Sequence, residues 1–387
     1  MKIAFCYENV VPARGGCETY IADLARRLAV DGHEVHLFAC RWDAATLPAS
    51  MVFHRLPSPR GPRFWRPWHF AAACRRALAG APDLISIGFD KTWGQDILYP
   101  QGGLHVASAE HNLRKHRRPT VRFLARLVKA CDPAHWSFSW LERRQYLGPR
   151  RPLIVVNSHM VQGHCRTYYG LDDVRVVRSA IDPERFREHD RPRRRVELRE
   201  RHGIGSEETV ALFIAMNYRL KGLEPLLHAV RLLPQDRPFR LLVVGHPHTT
   251  PYQRLARRLG LERRVTFLGP CRDIRDCYFA ADFLVHPTFY DPCSLVVLEA
   301  LACGLPVITS RFNGASELLH PPREGYVIQD PHQHAYLAWC MAQLLDPVRR
   351  LACGPAARRA AAEWTFEHHY RQLLHVFAEA AMRKRAA

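Results

Sequence analysis

The chain has 387 residues, of which 47% are hydrophobic, and its formal net charge is +19 at pH 7. This length exceeds what one hydrophobic core usually supports, so we expect two globular domains, and the composition excludes a disordered chain. No apolar run is long enough to span a bilayer. The positive charge favours an anionic partner: nucleic acid, an anionic membrane surface or a phosphorylated substrate.

The 12 cysteines are scattered without a Cys-x-x-Cys pair or a zinc-like Cys/His spacing. We therefore expect reduced thiols in a cytoplasmic protein and predict no structural metal site.

The first half of the chain alternates apolar runs with amphipathic stretches. Helices are predicted at about 17–30 and 68–79, and strands at 3–7, 34–39, 52–56, 84–88, 97–99, 154–156 and 174–177. This β-loop-α-β order is typical of a Rossmann-like domain. Gly15 and Gly16 lie between the first strand and the first helix, where glycines let a backbone approach a ligand closely.

Residues 111–151 carry the strongest charge bias, because 11 Lys and Arg face only two acids. Arg122, Arg126 and Lys129 edge one side of a predicted helix. Its other side is apolar and comprises Val121, Phe123, Leu124, Leu127 and Val128. A basic amphipathic helix is typical of a membrane-surface element. We expect attachment to an anionic inner leaflet, with Trp136, Phe138 and Trp140 as anchors; the alternative is a solvated helix packed on its own domain.

The second half repeats the alternation, with strands predicted at 209–215, 240–245, 265–268, 283–286 and 307–310. An Arg- and Pro-rich run at 187–201 is the predicted linker. It would join an N-terminal domain at 1–186 to a C-terminal domain at 202–365.

The segment 291–306 is the predicted centre of the site. Asp291 suits a helix N-cap, Pro292 suits the first helical position, and Gly304 suits the helix end. The helix is apolar on nearly every face, so it should be buried, and the charge of Glu299 then requires a partner. Free N–H groups at its N-terminus would bind an anion such as phosphate. Helical geometry would separate Asp291 from Glu299 by about 12 Å along the axis.

The same segment resembles the Glu-x7-Glu motif of retaining glycosyltransferases of family 4, which have the α/β GT-B fold of two Rossmann-like domains facing across a cleft. The resemblance implies that Asp291 lies at the donor sugar and that Glu299 binds the ribose. The backbone that would hold sugar and diphosphate comprises Cys293, Ser294, Leu295 and Val296. Asp replaces the first Glu of the motif, and Cys-Ser replaces Phe-Gly. The alternative is a structural Glu299 paired with an arginine elsewhere.

Other segments extend the resemblance. Residues 88–97 are similar to a segment of family members that act on lipopolysaccharide core. His105 matches a loop position that contacts the donor sugar near the reacting carbon. Lys221, in Lys-Gly after a strand, matches the lysine that neutralises the donor diphosphate. The companion arginine of the family falls at Met216, so Arg219 is the candidate substitute. The alternative is that His105 and Lys221 are ordinary residues of surface loops.

The family resemblance implies transfer of a sugar, with retention, from a nucleotide sugar such as UDP-glucose to a membrane-associated glycan in lipopolysaccharide core or other cell-envelope synthesis. The acceptor would bind the N-terminal domain, and the nucleotide sugar would bind the C-terminal domain without a metal. The last helix, 366–387, would pack back on the first domain. The enzyme would be cytoplasmic, peripheral at the inner face of the membrane. Alternatives are another lipid-linked or soluble acceptor, or a non-catalytic nucleic-acid-binding protein, which the lack of interleaved aromatic and basic residues disfavours.

Overall fold

The computed structural model describes residues 1–12, 15–186 and 190–386, which fall into two compact units. The first unit comprises Met1–Leu113, Arg118–Arg178 and His369–Ala387. The second unit comprises Arg114–Arg117 and Ser179–His368. Both units are built on a parallel sheet flanked by helices, as the alternating pattern predicts.

The first unit contains a seven-stranded parallel sheet in the order β5-β3-β1-β6-β7-β8-β9. Its strands are β1 (Lys2–Cys6), β3 (Glu34–Ala39), β5 (Val52–Arg55), β6 (Ile85–Gly88), β7 (Ile97–Leu98), β8 (Leu153–Val156) and β9 (Arg175–Val176). The short strands β2 (Asn9–Val10) and β4 (Arg41–Trp42) pair separately. Ile3 lies opposite Val35 on one side and Ile85 on the other, so β1 is an interior strand of the sheet.

The helices of the first unit lie between strands of the sheet, although no α-helix separates β3 from β5 or β6 from β7. They are α1 (Gly16–Val30), α2 (Arg66–Ala79), α3 (His105–Arg114), α4 (Pro119–Ala130), α5 (Pro133–Leu147) and α6 (His159–Tyr169). The last helix of the chain, α14 (Phe366–Ala386), contributes its residues from His369 onward. There the His369 ring contacts the Tyr20 hydroxyl at 2.7 Å, and Arg175 pairs with Glu379 at 2.9 Å.

The second unit contains a six-stranded parallel sheet in the order β12-β11-β10-β13-β14-β15. Its strands are β10 (Thr209–Ala215), β11 (Phe239–Gly245), β12 (Val265–Gly269), β13 (Phe283–His286), β14 (Val307–Ser310) and β15 (Gly325–Ile328). Its helices are α7 (Arg191–Arg201), α8 (Leu223–Arg231), α9 (Thr250–Arg258), α10 (Ile274–Ala280), α11 (Leu295–Ala302), α12 (His334–Leu345) and α13 (Pro347–Glu363).

Each sheet has one point at which the direction of strand addition reverses. In the first unit this point lies between β1 and β6, and in the second unit it lies between β10 and β13. Open α/β sheets bind ligands at such points, beyond the carboxyl ends of the strands. The loops that follow β1, β6, β10 and β13 are therefore the expected ligand-binding regions.

The run predicted as a linker is mostly helical. Residues 187–189 lie outside the described part of the chain, and α7 occupies most of the remainder. Arg199 is buried, pairs with Asp282 at 2.9 Å and donates to the carbonyl of Ala280 at 3.0 Å. Arg194 pairs with Asp276 at 2.5 Å. These arginines hold α7 against the rest of the second unit. Their acidic partners lie some 80 residues further along the chain, so a local sequence pattern could not reveal these contacts.

The membrane-spanning potential of the described helices is low. None of them combines the length and the apolar character needed to cross a bilayer.

Candidate active site

Lys221 and Asp291 meet at the reversal point of the second sheet. Lys221 lies in the loop after β10, and Asp291 lies in the loop after β13. The Lys221 Nζ atom is 2.5 Å from Asp291 Oδ2 and also donates to the carbonyl of Tyr290 at 3.1 Å. Two residues 70 positions apart are brought together because they follow the two strands that flank this point.

The two loops are packed so closely that one position requires glycine. Gly222 has a φ of +83°, and a Cβ atom there would lie 2.1 Å from the carbonyl oxygen of Pro287. The N–H of Phe289 also donates to the carbonyl of Leu220 at 2.9 Å. Any side chain at Gly222 would therefore push the Lys221 loop away from Asp291.

The electrostatics of this pair favour the ionised carboxylate. Burial raises the pKa of Asp291, but the Lys221 charge and His286 outweigh it, so the pKa lies well below its ordinary value. Nε2 of His286 is 3.5 Å from the same oxygen, Oδ2. Sequence reasoning missed His286; its one usable signal was its place at the end of the strand that leads into the segment 291–306.

The predicted start of the central helix is wrong. Helix α11 begins at Leu295, with Ser294 as its N-cap, and Asp291 lies before it. Asp291 instead forms a bridge with Asn313, and its N–H donates to the carbonyl of Phe312 at 2.9 Å. Because its backbone is used in this pairing, Asp291 is no part of the helix, and the predicted 12 Å axial spacing to Glu299 does not apply.

Asn313 fixes the start of α11. Its Oδ1 atom accepts hydrogen bonds from the N–H groups of Ser294 and Ala315, each at 3.1 Å, and the side chain is buried. The first N–H groups of a helix have no partner within it. Since the Ser294 N–H is committed to Asn313, those of Leu295 and Val296 are the candidates for binding an anion at this end.

The rest of α11 agrees with the prediction of a buried helix. Val297, Leu298 and Leu301 are almost completely buried. Cys293, just before the helix, is also buried, and Gly304 with a φ of +71° follows the helix end. A left-handed residue at this position is the usual way to end a helix.

Glu299 has the partner that its charge requires. The hydroxyl of the fully buried Tyr278, on α10, donates to Glu299 Oε2 at 2.6 Å. Burial raises the pKa of Glu299 overall, although the Tyr278 hydrogen bond and the charge of Arg185 act in the opposite direction. The carboxylate is therefore oriented by one tyrosine, with an arginine charge nearby.

Arg219, the predicted substitute cation, lies near the surface of the second unit. Its side chain is exposed, and Nη2 is 3.2 Å from Nδ1 of His116. The structure brings Lys221 and Asp291 into contact. Leu295, Val296 and Glu299 lie on α11, and Cys293 and Ser294 directly precede this helix. Gly15, Gly16 and His105 belong to the first unit.

Two adjoining cavities occupy the reversal point of the first sheet. The larger is about 540 Å³ and the smaller about 250 Å³. Both are lined by residues that follow β1 and β6, and they share Tyr7, Asp90, Lys91 and Phe138. This is the location at which a Rossmann-like unit binds a ligand.

His105 lines the smaller cavity but is the first residue of α3, whereas the sequence predicts a loop. The Glu142 carboxylate, on α5, accepts the His105 N–H and, at 3.1 Å, the Val106 N–H, and so caps this helix. Nε2 of His105 is 3.1 Å from Nδ1 of His135. Burial, followed by the charge of Lys91, lowers the pKa of His105 to about 4, so the ring is neutral at neutral pH.

Replacing His105 with glutamine should reduce the acid sensitivity of the protein. The His105 pKa is lower in the folded state than its ordinary value of 6.5. Its stabilising contribution is therefore complete above pH 6.5 and is lost as the pH falls towards about 4. Tm measured across this interval should fall less in His105→Gln than in wild type.

The matched control is His320→Gln, whose side chain is 71% exposed. It should follow the wild-type Tm profile. A His105→Gln profile that parallels wild type would contradict the assignment of acid sensitivity to this ring.

Gly15 and Gly16 begin α1. Arg14 lies outside the described residues, Gly16 is the first helical residue, and Gly15 is its extended N-cap. A Cβ atom on Gly15 would lie 3.0 Å from the carboxylate of Glu18, which lines the larger cavity. An acid in the first helical turn complements the helix dipole, so Glu18 partly fills the role that an anionic ligand would have at this helix end.

Among the described residues, no group of three or more His, Cys, Asp or Glu side chains is arranged to hold a metal ion.

Two family models match the chain, one in each half. A model described as Glycosyltransferase Family 4 matches residues 14–185, and one described as Glycosyl transferases group 1 matches residues 194–360. A probable transglycosylase of Burkholderia thailandensis strain E264 is 32% identical over 97% of each chain. The lipopolysaccharide glucosyltransferase WaaG of Escherichia coli strain K12 is 24% identical over 87% of each chain.

Solved structures agree on the fold. A crystal structure of WaaG, a glycosyltransferase involved in lipopolysaccharide biosynthesis, gives a TM-score of 0.78 at 20% identity and covers 97% of this chain and 99% of its own. Anabaena HepE in complex with UDP and glucose gives a TM-score of 0.70 at 20% identity and covers 98% of this chain and all of its own.

The two Rossmann-like units therefore define a protein of the GT-B fold, as the sequence predicts. The chain belongs to the family 4 and group 1 glycosyltransferases.

Proposed function

We propose that this glycosyltransferase transfers a sugar, with retention of configuration, from UDP-glucose or a similar UDP sugar to a membrane-associated glycan of lipopolysaccharide core or another cell-envelope polymer. The observation that carries this proposal is the contact between Lys221 and Asp291, just before the start of α11. Two likenesses support it: WaaG is a lipopolysaccharide glucosyltransferase, and HepE binds UDP and glucose.

Each residue has a distinct task in this reaction. Lys221 and the N–H groups of Leu295 and Val296 stabilise the diphosphate as it leaves, since fixed charges in a preorganised site act most strongly where negative charge develops. Asp291 accepts hydrogen bonds from the donor sugar. Glu299 binds the ribose hydroxyls. The acceptor hydroxyl gives its proton to the departing diphosphate on the same face of the sugar, and no metal is required.

Thermal stabilisation by a ligand panel tests the proposal. Wild type and Glu299→Gln are heated with UDP, GDP, ADP and a short oligonucleotide. A ligand at about 100 times its dissociation constant stabilises the protein by roughly 2.7 kcal/mol. UDP should stabilise wild type, and the response should shrink in Glu299→Gln. Stabilisation by the oligonucleotide alone would overturn the proposal in favour of a nucleic-acid-binding protein.

Tyr278→Phe should weaken UDP binding by about 3- to 10-fold, because one hydrogen bond that orients Glu299 is lost. Turnover at saturating donor should change little, since Tyr278 acts on the ribose contact and not on the reacting carbon. Isothermal titration calorimetry with UDP measures the affinity.

Tyr336→Phe, an exposed tyrosine on α12, is the control and should bind UDP like wild type. Unchanged affinity in Tyr278→Phe would remove Glu299 from the ribose site.

The larger cavity of the first unit supports a phosphorylated acceptor. Among the described residues, the cations Arg63, Arg66 and Lys91 line it. The ring of Phe138 lies 5.8 Å from the Arg63 guanidinium and 5.0 Å from Lys91 Nζ. Three acids, Glu8, Glu18 and Asp90, line the same cavity. Cations suit a phosphate and carboxylates suit sugar hydroxyls, which together describe a phosphorylated glycan.

Helix α4 supports attachment to a membrane surface. None of its residues is buried, and its apolar side chains are exposed, Val128 to 73% and Phe123 to 61%. Trp136 and Trp140, on α5, are exposed to 63% and 71%. Exposed apolar side chains beside many cations suit the interface of an anionic bilayer. We therefore propose that the enzyme binds the inner face of the cytoplasmic membrane.

Replacing both Phe123 and Val128 with glutamate should reduce binding to anionic vesicles by about tenfold or more, because apolar burial is lost and negative charge is added. The fold should be unaffected, since neither side chain is buried. Co-sedimentation with anionic and neutral liposomes measures the binding.

Val348→Glu is the control, because Val348 on α13 is exposed to 74% and lies in the second unit. It should sediment like wild type. Equal sedimentation of wild type with anionic and neutral vesicles would overturn the membrane assignment.

A further inference from the structure

Asp291 faces two basic groups through a single oxygen atom. Lys221 Nζ is 2.5 Å and His286 Nε2 is 3.5 Å from Oδ2. His286 ends β13, is 1% exposed, and its ring stacks near Phe213 with centroids 6.0 Å apart. Apart from the contact with Asp291, neither ring nitrogen has a hydrogen-bond partner among the described residues. The Nε2 atom of a buried titratable ring thus faces the carboxylate of Asp291.

The surroundings of His286 contain few charges. The strand β10 contributes the apolar Phe213, and β14 contributes Thr309, whose hydroxyl donates to the His286 carbonyl at 2.9 Å. The charged groups that act on the ring are Asp291 and Lys221. Burial has the largest influence on the pKa of His286, and the charges that act on the ring besides it are those of one carboxylate and one ammonium group.

The balance of these two charges changes when a diphosphate engages Lys221. The Lys221 ammonium group then divides its contacts between the diphosphate and Asp291. A buried carboxylate that loses its cationic partner is strongly destabilised. The negative charge of the diphosphate also offsets the ammonium charge that opposes a second cation nearby. Both effects favour the imidazolium form of His286.

We propose that His286 is the second counter-charge of Asp291: when the donor diphosphate engages Lys221, His286 binds one proton from solvent, and its Nε2–H donates to Oδ2. This inference rests on the proposed function, because it requires a diphosphate at Lys221. His286 is a positioning residue that keeps Asp291 ionised and fixed while Lys221 contacts the phosphates. Donor binding is then linked to proton uptake, and donor affinity rises as the pH falls.

The starting condition is a neutral ring. Burial and the charge of Lys221 lower the pKa of His286, although the contact with Asp291 acts in the opposite direction. The ring therefore takes up a proton only when the diphosphate changes its surroundings.

Calorimetry in buffers of different ionisation enthalpy tests the proposal. UDP is titrated into wild type, His286→Gln and His228→Gln near pH 7. Wild type and His228→Gln, which changes a histidine on α8, should take up as much as about one proton per UDP more than His286→Gln. The ionisation of UDP itself is common to all three proteins, so the difference reports the protein.

A second measurement uses wild type alone, so it does not depend on the folding of a variant. UDP-glucose has no phosphate group that titrates near neutrality, and its affinity should rise by up to about tenfold per pH unit below neutrality. Equal proton uptake in wild type and His286→Gln, or a pH-independent affinity for UDP-glucose, would overturn the role of His286. Failure of UDP to bind wild type at all would instead overturn the proposed function.

Discussion

Asp291→Asn should lower the turnover number for sugar transfer by about 10²-fold or more, while UDP binds at least as tightly as it does to wild type. Turnover falls because the donor sugar loses the charged acceptor that orients it. Affinity for UDP is preserved because Lys221, which Asp291 contacts at 2.5 Å, is then released to the diphosphate alone. Lower turnover together with undiminished UDP affinity would separate a role at the donor sugar from a role in binding the diphosphate.

Steady-state kinetics and calorimetry measure the two quantities on the same preparation. Asp236→Asn, at an exposed position of the second unit, should match wild type in both. Loss of UDP affinity in Asp291→Asn would show that Asp291 supports the phosphate site, and unchanged turnover would remove it from the reaction.

Lys221→Met should weaken UDP binding by about 10- to 100-fold and also destabilise the second unit. The first effect follows from the loss of a charge-assisted contact to the diphosphate. The second follows because Asp291 keeps a largely buried charge without its main partner, a change that costs about 3 kcal/mol or more. The double variant Lys221→Met/Asp291→Asn should regain most of the stability but none of the turnover.

Denaturant unfolding of the two single variants and the double variant gives the coupling free energy of the pair. Because the pKa of Asp291 is lowered, the stabilising effect of the ion pair is complete above the ordinary carboxyl pKa and is lost as the pH falls through the lowered one. Additive effects of the two substitutions would contradict a direct energetic interaction between Lys221 and Asp291.

The regular elements could be predicted from the sequence because each depends on a local pattern. The apolar runs that form β10, β13 and β14 have the predicted bounds, and Gly304 follows the end of α11 as expected. The acid at Glu299 stands out in an apolar segment, so its need for a partner was visible as well. The identity of that partner, Tyr278, was not, because it lies on a different helix.

The features that the sequence did not predict depend on contacts between residues that lie far apart in the chain. Asp291 has the residue type and the following proline of a helix N-cap, but its isolated bridge to Asn313, in the loop after β14, takes its backbone away from the helix. Arg199 lies in a charged run, and its partner Asp282, 83 residues further along the chain, cannot be found from a local pattern. His286 is one of 22 histidines, and only the adjacency of β10 and β13 shows that it faces the ion pair.

The return of α14 to the first unit has a consequence for how the protein is made. Residues from His369 onward belong to that unit, where Lys384 contacts Asp96 at 3.0 Å and His369 contacts the buried Tyr20. Although the first unit is synthesised first, it is completed only after the whole second unit has left the ribosome. The first unit must therefore hold an incomplete core until the residues of α14 are available.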